Sequence, residues 1–253
     1  MKRLACIHSG SENAQEAFAD LSRRHSFVRP EEADVIVALG GDGLMIHSLH
    51  NHLQFKSPIF GMNCGTIGFL MNEFRADGLL ERLDECRTIE IHPLAMEARR
   101  VTGEFETAIA FNEVTVMRHT GQSANIRISV NGVERLSKFI GDGIIVATAM
   151  GSTAYNFSAH GPIIPLDGSV LALTPVSPFR PRHWRGALLP HTVEVEFENL
   201  DPRKRPIAAT ADFREMFEVS SVSIREDRDT RVSLLFDPNH SLEERITAEQ
   251  FAL

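Results

Sequence analysis

Four short segments of this chain carry acidic, amide or hydroxyl side chains, in three of them next to glycine, in spacings that could serve phosphoryl chemistry. The first is GGDG, which follows the apolar run VIVAL and precedes a helical pattern. Glycines after a strand let backbone N–H groups converge on an anion, and a helix N-terminus adds positive potential. The carboxylate of Asp42 would repel a phosphate, so it suits a general base for an attacking hydroxyl. An N-cap of the following helix is the alternative.

The second segment is IAFNEVTV, in which Asn112 and Glu113 interrupt an otherwise apolar strand. An amide beside a carboxylate can read an adenine edge and a ribose diol, because the carboxylate accepts both hydroxyl hydrogens. Successive strand residues point to opposite faces, so the two side chains can serve one ligand only near a strand end or a bulge. A turn or strand edge without a ligand is the alternative.

The third and fourth segments are FIGDGIIVATA and GSTAYNFSAHGPII. In the third, Asp142 lies between glycines beside an apolar strand, which predicts either close backbone approach to a ligand or a plain turn. The fourth is dense in hydroxyl and amide groups next to small residues, which favours phosphate and sugar binding over a simple helix start. Its polar side chains are Ser152, Thr153, Tyr155, Asn156 and Ser158.

Composition and charge argue against several other classes of function. The 253 residues carry a net charge of −8, which disfavours a general binder of nucleic acids or anionic membranes. The three cysteines have no CxxC spacing and indicate reduced thiols in a cytoplasmic protein. The eleven histidines form no HExxH or other zinc pattern, so no metal site built by the protein is expected. The sequence contains no run of about 18 apolar residues, so a membrane span is not predicted.

The first third of the chain alternates strands and helices. Strands are predicted at RLACIH, at DVIVAL and at SPIFGMNCGTIGFL, the last running into a glycine-punctuated loop. Helices are predicted at SENAQEAFADLSRR, capped by Ser11, at LMIHSLHNHL and at ADGLLERLDECRTI. Strands without polar alternation, separated by helices, imply a parallel sheet covered on both faces.

After Pro93 the sequence becomes a series of short β-rich runs separated by turns, typical of a sandwich-like or barrel-like domain. TAIAFNEVTVMR is predicted as one strand, ISVNGVE as a hairpin around Asn-Gly, and RVSLLFDP as the last strand of the series. The tail SLEERITAEQF returns to helical spacing, with Ser241 and Glu244 in capping-box register. The predicted domains are therefore 1–92 and 93–236, followed by a C-terminal segment, 237–253.

Together and in this order, GGDG, FNE, GDG and GSTAYN resemble the diagnostic motifs of the NAD kinase family, and the likeness extends over essentially the whole chain. The resemblance implies a Rossmann-like α/β nucleotide-binding domain, a β-rich sandwich-like second domain with the site between them, and a C-terminal tail packing back on the first domain. It implies a kinase that phosphorylates the adenosine 2′-hydroxyl of NAD with ATP, giving NADP and ADP. A divalent cation, expected to be Mg²⁺ bound with ATP, would supply much of the charge neutralisation.

By this resemblance, Asp42 is the expected base that activates the 2′-hydroxyl. Asn112 and Glu113 are expected to bind the adenosine half of NAD, and Asp142 to face the nicotinamide end. Tyr155, the single tyrosine of the chain, is expected to lie against the sugar. The remaining residues expected to bind the substrates are Gly43, His47, Thr153, Ala154, Asn156, Phe157, Ser158, Ser177 and Asp212.

The resemblance also implies partners. Members of the family are dimers or tetramers, so we expect a homodimer or homotetramer in which a neighbouring subunit contributes to each active site. The expected ligands are NAD and ATP, with no nucleic acid and no membrane. Two other functions stay open: a lipid or sugar kinase that shares GGDG, in which GSTAYN after GDG would have no purpose, and a non-catalytic NAD(P)-binding sensor, which would have no need of Asp42.

Overall fold

The computed structural model describes residues 2–65 and 68–238. The chain divides into two compact units, Met1–Ile91 with Arg231–Leu253, and His92–Thr230. The predicted fold class is confirmed, since helices and a largely parallel sheet make up the first unit and strands make up most of the second. The predicted tail helix with its capping box lies outside the described residues.

The first unit is built on a six-stranded sheet. Its strands are β1 (Leu4–His8), β2 (Val35–Gly40), β3 (Ile59–Asn63), β4 (Asn72–Glu73), β5 (Arg87–Ile91) and β17 (Val232–Phe236). The order is β1–β2–β3–β17–β5, with β4 beside β3, and every pair is parallel except β17 with β5. Strand β2 is buried along its whole length, as expected for a strand covered on both faces.

Three helices flank this sheet: α1 (Glu12–Arg24), α2 (Asp42–His52) and α3 (Leu79–Glu85). The predicted cap of α1 is confirmed, because the side chain of Ser11 accepts a hydrogen bond from the Ala14 N–H at 3.4 Å. Ala14, Ala17 and Leu21 of α1 are buried in the core of the unit. No helix of the described residues is long and apolar enough to cross a bilayer.

Two predicted elements differ in the first unit. The helix predicted over ADGLLERLDECRTI is wrong beyond Glu85, because RTIEI forms β5, where β-branched residues favour a strand paired with β17. The run RVSLLFDP was expected in the β-rich domain, but its strand lies between β3 and β5. A nearly continuous apolar run suits such a covered central position. The second unit therefore ends at Thr230, ahead of the predicted limit at 236.

The second unit contains one sheet of eleven strands. They are β6 (Leu94–Arg100), β7 (Phe105–Ala110), β8 (Glu113–Arg118), β9 (Ala124–Val130), β10 (Val133–Gly141), β11 (Gly143–Ala147), β12 (Val170–Val176), β13 (Ala187–Pro190), β14 (Glu194–Asn199), β15 (Ile207–Ala211) and β16 (Arg214–Glu226). The order is β10–β9–β14–β16–β15–β8–β11–β12–β13, and β6 joins β16 to β7. All of these pairs are antiparallel.

Most of the apolar side chains of these strands share one core, and Ile145, Ala147 and Ala172 pack with Ile164 in a second, smaller cluster. Burial alternates along β9 and β14, so that every second side chain faces the larger core. The predicted hairpin is confirmed between β9 and β10, where Asn131 has φ 51° and Gly132 has φ 70°. Positive φ at both central residues is the signature of a type I′ turn, which Asn-Gly adopts readily.

Candidate active site

Asp42 is the first residue of α2, immediately after the carboxyl end of β2. Its carboxylate accepts hydrogen bonds from the backbone N–H groups of Phe69 at 2.8 Å and Leu70 at 3.0 Å. A side chain on Gly68 would place its Cβ 2.8 Å from Asp42 Oδ1, so glycine is needed for this close approach. The interpretation of Asp42 as an N-cap is wrong, because the cap position is Gly41. The carboxylate is instead held in a fixed orientation by segment 68–70.

Gly43 and His47 lie on one face of α2, four residues apart. Both are exposed, and a Cβ at Gly43 would meet no atom within 4 Å. Among the described residues, the first turn of α2 therefore has space beside it at Gly43. Backbone N–H groups at such a turn attract anions.

In the second unit, Asn112 and Glu113 lie where one strand ends and the next begins. The single strand predicted over TAIAFNEVTVMR is wrong: β7 ends at Ala110 and β8 begins at Glu113. The strand end that both side chains would need to serve one ligand is thus present. We call residues 111–113 the FNE turn.

Asp212 and Thr148 hold the FNE turn from its two sides. The Asp212 carboxylate accepts hydrogen bonds from the N–H groups of Phe111 at 2.7 Å, Asn112 at 3.0 Å and Glu113 at 3.3 Å. The Thr148 hydroxyl donates to the Phe111 carbonyl at 2.7 Å, and the Thr148 N–H donates to the Asn112 carbonyl at 2.9 Å. Both the donors and the acceptors of this turn are therefore satisfied by protein groups.

The Glu113 carboxyl group has little around it in the described residues that would stabilise its ionised form. Its Oε2 is shielded from solvent and has no hydrogen-bond partner among the described residues. Burial, and to a lesser extent the negative charge of Asp212, raises the pKa of Glu113 to about 7. A carboxyl group in such a state gains from accepting hydroxyl hydrogens of a ligand.

The GSTAYN segment packs directly on the FNE turn. Gly151 donates its N–H to the Thr148 hydroxyl at 3.0 Å, and a Cβ on Gly151 would lie 2.1 Å from the Asn112 carbonyl oxygen. Only glycine allows this approach. Two short helices lie at this contact and directly after it in the chain, at Met150–Thr153 and at α4 (Tyr155–Ser158).

The side chains of this segment divide into two groups. Tyr155, Phe157 and Ser158 are exposed, while Thr153 and Ala154 are partly exposed. Asn156 is fully buried. Its amide donates to the carbonyls of Ser152 and Pro162 at 3.2 and 2.9 Å and accepts from the Thr174 hydroxyl at 2.6 Å. Asn156 therefore connects parts of the segment internally, which its sequence pattern did not reveal.

Asp142 lies at the other end of β11 from the FNE turn. Ala147 of β11 pairs with Glu113, whereas Gly143 pairs with Met117. Four residues of strand separate the two positions by about 14 Å, at about 3.4 Å per residue. Asp142 is therefore separated from Asn112 and Glu113, and these residues were expected to bind opposite halves of one dinucleotide.

Two expected site residues lie together at this distal end. The Asp142 carboxylate accepts a hydrogen bond from Arg118 Nε at 2.6 Å, and its N–H donates to the Val176 carbonyl at 3.0 Å. Ser177 follows directly and has φ 46°, in the left-handed region. A backbone hydrogen bond therefore fixes Asp142 beside the end of β12, where Ser177 follows.

Comparison with known proteins agrees with this arrangement. A sequence model of the ATP-NAD kinase C-terminal domain matches residues 111–199, which include the FNE turn, GDG and GSTAYN. The chain is 53% identical to an NAD kinase of Caulobacter vibrioides over 250 residues, covering 99% of this chain and 96% of that protein. It is 49% identical to an NAD kinase of Zymomonas mobilis over 253 residues, covering 99% and 98%. The chain belongs to the NAD kinase family.

Solved structures of kinases share the fold of this family member. Yeast NADH kinase, crystallised with NADH, has a TM-score of 0.80 at 17% identity, covering 98% of this chain and 87% of that chain. An NAD kinase from Archaeoglobus fulgidus, crystallised with ATP, has a TM-score of 0.76 at 24% identity and covers 98% of both chains. At these identities, the likeness supports the fold.

Several contacts in this kinase were not found from the sequence. The N–H groups of Phe69 and Leu70 belong to apolar residues, and backbone donors leave no compositional signal. Thr148 stands in the short run TAMGST, where a hydroxyl before a glycine could have suggested a turn contact. Asp212 was expected to bind the substrate, but its described contacts are with the FNE turn.

Proposed function

We propose that this kinase transfers the γ-phosphoryl group of ATP to the adenosine 2′-hydroxyl of NAD, giving NADP and ADP, with Asp42 as the general base. The identity of about half of all residues with NAD kinases over nearly the whole chain carries this proposal. The carboxylate of Asp42 supports it, because two backbone N–H groups fix its orientation at the start of α2. A positioned general base contributes about 10²–10⁴ to the rate.

We further propose that the FNE turn and the GSTAYN segment bind the adenosine half of NAD. The ionised Glu113 carboxylate would accept hydroxyl hydrogens, which supplies the partner that its Oε2 lacks within the protein. Tyr155 and Phe157 expose aromatic faces on which a base or sugar can lie. Thr153, Ala154 and Ser158 belong to the same segment and are at least partly exposed.

Different observations bear on the proposed binding of the ATP phosphates and of the divalent cation. The start of α2, where Gly43 is exposed, and His47 one turn further along suit the phosphates of ATP. Among residues 2–65 and 68–238, no group of three or more His, Cys, Asp or Glu side chains could hold a metal ion. In our proposal a divalent cation, Mg²⁺, would arrive bound to ATP and would neutralise its charge there.

Asp142 and Ser177 would contact the nicotinamide half in this scheme, since an extended dinucleotide spans a long distance. We propose a homodimer or homotetramer, in which the exposed aromatic side chains of the second unit, such as Phe105 and Phe179, would be candidates for contacts between subunits. A cytoplasmic location is consistent with the three cysteines, which are all free thiols.

The test is NADP formation by the purified protein with NAD, ATP and Mg²⁺, run beside Asp42→Asn. We expect turnover of the variant to fall by about 10²–10⁴ while NAD binding, measured by calorimetry, is retained. Asp34→Asn is the matched control, because Asp34 forms an exposed ion pair with Arg3 and should leave turnover unchanged.

Other outcomes would distinguish the alternatives. Product with polyphosphate but not with ATP would keep the acceptor and change the phosphoryl donor. NAD binding without product from any donor would contradict the kinase and favour a sensor. Equal turnover of Asp42→Asn and the parent would refute the role of Asp42 as the base.

A further inference from the structure

The FNE turn directs three consecutive backbone N–H groups at one carboxylate, that of Asp212. In a regular strand, consecutive N–H groups point in alternating directions, so they cannot converge on one acceptor. Converging N–H groups form an anion-binding concavity, of the kind that elsewhere binds phosphate. Here, a protein carboxylate occupies it.

The backbone of Asp212 is adapted to this contact. Asp212 follows the end of β15 and has φ 49°, in the left-handed region that aspartate and asparagine enter more readily than most residues. Its own N–H donates to the Glu113 carbonyl at 3.2 Å, so the turn and Asp212 hold each other in both directions. The pairing of Ala211 with Val114 continues the same register.

The two polar side chains of the turn have no hydrogen-bond partner in the part of the protein that the structure describes. Asn112 makes no side-chain hydrogen bond among the described residues, and Glu113 Oε2 is shielded without a partner. The backbone of the turn is thus fully bonded to Asp212 and Thr148, while its two polar side chains are not. This combination indicates a rigid support for a ligand contact.

We propose that Asp212 is a positioning residue for NAD binding, which holds the FNE turn so that Asn112 and Glu113 reach the same ligand. It acts through the turn, and its carboxylate does not contact the substrate. Because this role rests on the proposed function of Asn112 and Glu113, its test must also examine those two residues.

Asp212 has an electrostatic effect in addition to its hydrogen bonds. Strands β11 and β15 lie on either side of β8 and carry no ionisable side chain, and neither does the packed segment 148–153. Burial, and in addition the negative charge of Asp212, raises the pKa of the Glu113 carboxyl group. NAD binding should strengthen as the pH rises through about 7, because only the ionised carboxylate accepts two hydroxyl hydrogens.

The experiment compares Asp212→Asn and Asp212→Gly with the parent. Both variants can adopt positive φ, so both keep the backbone conformation. Asparagine places an NH₂ group against an N–H donor, and glycine removes the acceptor. We expect the KM for NAD to rise about tenfold or more, where tenfold corresponds to about 1.4 kcal/mol. The KM for ATP should be unchanged, and the midpoint of the pH dependence should move to lower pH.

Asp227→Asn is the matched control. Asp227 is also in the second unit, and its carboxylate accepts hydrogen bonds from the N–H groups of Asp229 at 3.1 Å and Thr230 at 3.4 Å. Removing its charge tests whether any turn-capping aspartate of this unit has the same effect. We expect its KM for NAD and pH midpoint to match those of the parent.

The results distinguish a failure of the positioning role of Asp212 from a failure of the proposed function of the FNE turn. If Asn112→Ala and Glu113→Gln raise the KM for NAD but the Asp212 variants do not, the positioning role is refuted and the proposed function stands. If Asn112→Ala and Glu113→Gln have no effect, the proposed function of the turn fails. Equal changes in the KM values for NAD and ATP, with an unmoved pH midpoint, would show a general structural role and overturn the positioning role.

Discussion

Gly151→Ala is a substitution for which the structure predicts a large effect from a single methyl group. The new Cβ would lie 2.1 Å from the Asn112 carbonyl oxygen and 2.4 Å from its carbon. Ordinary contacts between carbon and oxygen are about 3.3 Å, so the turn or the segment must move by about 1 Å. Both obstructing atoms are backbone, so no change of rotamer can relieve the contact.

The expected loss of stability combines two effects. Overpacking of this kind costs about 1–3 kcal/mol. The movement also lengthens the hydrogen bonds from Thr148 to Asn112 and from Gly151 to Thr148, each of which contributes about 1 kcal/mol. We therefore expect a loss of about 3 kcal/mol in the free energy of unfolding, equivalent to a fall in Tm of about 6–12 °C for a chain of this size.

Trp184 provides the assay, because it is the single tryptophan of the chain and packs on Phe139 in the second unit. Its fluorescence follows unfolding of that unit in urea and on heating. Gly121→Ala is the control, since a Cβ there would meet nothing within 4 Å and the φ of Gly121 is not positive. We also expect the KM for NAD to rise in Gly151→Ala. Stability and KM both equal to those of the parent would refute the close packing of GSTAYN on the FNE turn.

Two further predictions concern buried charges. The folded-state pKa of Glu113 is raised from 4.5 to about 7, so the stabilisation of its neutral form is complete below about pH 4.5 and is lost as the pH rises through about 7. The change amounts to about 3 kcal/mol, and urea unfolding followed by Trp184 fluorescence should show that Glu113→Gln removes this pH dependence; an unchanged dependence would contradict it. Arg82 and Asp237 form a buried pair at 2.6 Å, so Asp237→Asn should cost about 3–5 kcal/mol by circular dichroism, and Arg82→Met with Asp237→Leu should recover most of it. A loss below about 1 kcal/mol in Asp237→Asn would show that the pair is solvated.

Local signals in the sequence predicted much of the fold. The cap at Ser11, the unalternated run of β2 and the Asn-Gly turn after β9 all rest on interactions within a few residues. The four polar segments GGDG, FNE, GDG and GSTAYN predicted the family as well, because their order and residue types are chemical requirements that can be seen in the linear sequence. Each of these predictions needed no knowledge of distant contacts.

Other features depend on contacts between residues far apart in the sequence. The run at β17 has the same apolar composition whether it joins the first sheet or the second, and only its pairing with β3 and β5 decides between them. The break between β7 and β8 exists because Asp212, about 100 residues later, supplies an acceptor for three N–H groups. Asn156 is internal for the same reason, since Thr174 and Pro162 satisfy its amide.

The sequence by itself determined which chemical groups this protein has and which family it belongs to. The tertiary structure decided which of those groups support the fold and which remain available to a ligand. The sequence alone does not distinguish a carboxylate or amide that supports the fold from one that binds a ligand. The difference is whether hydrogen-bond donors and acceptors of the protein already satisfy the group. That satisfaction is a property of packed neighbours, and it separates Asp212 and Asn156 from Glu113.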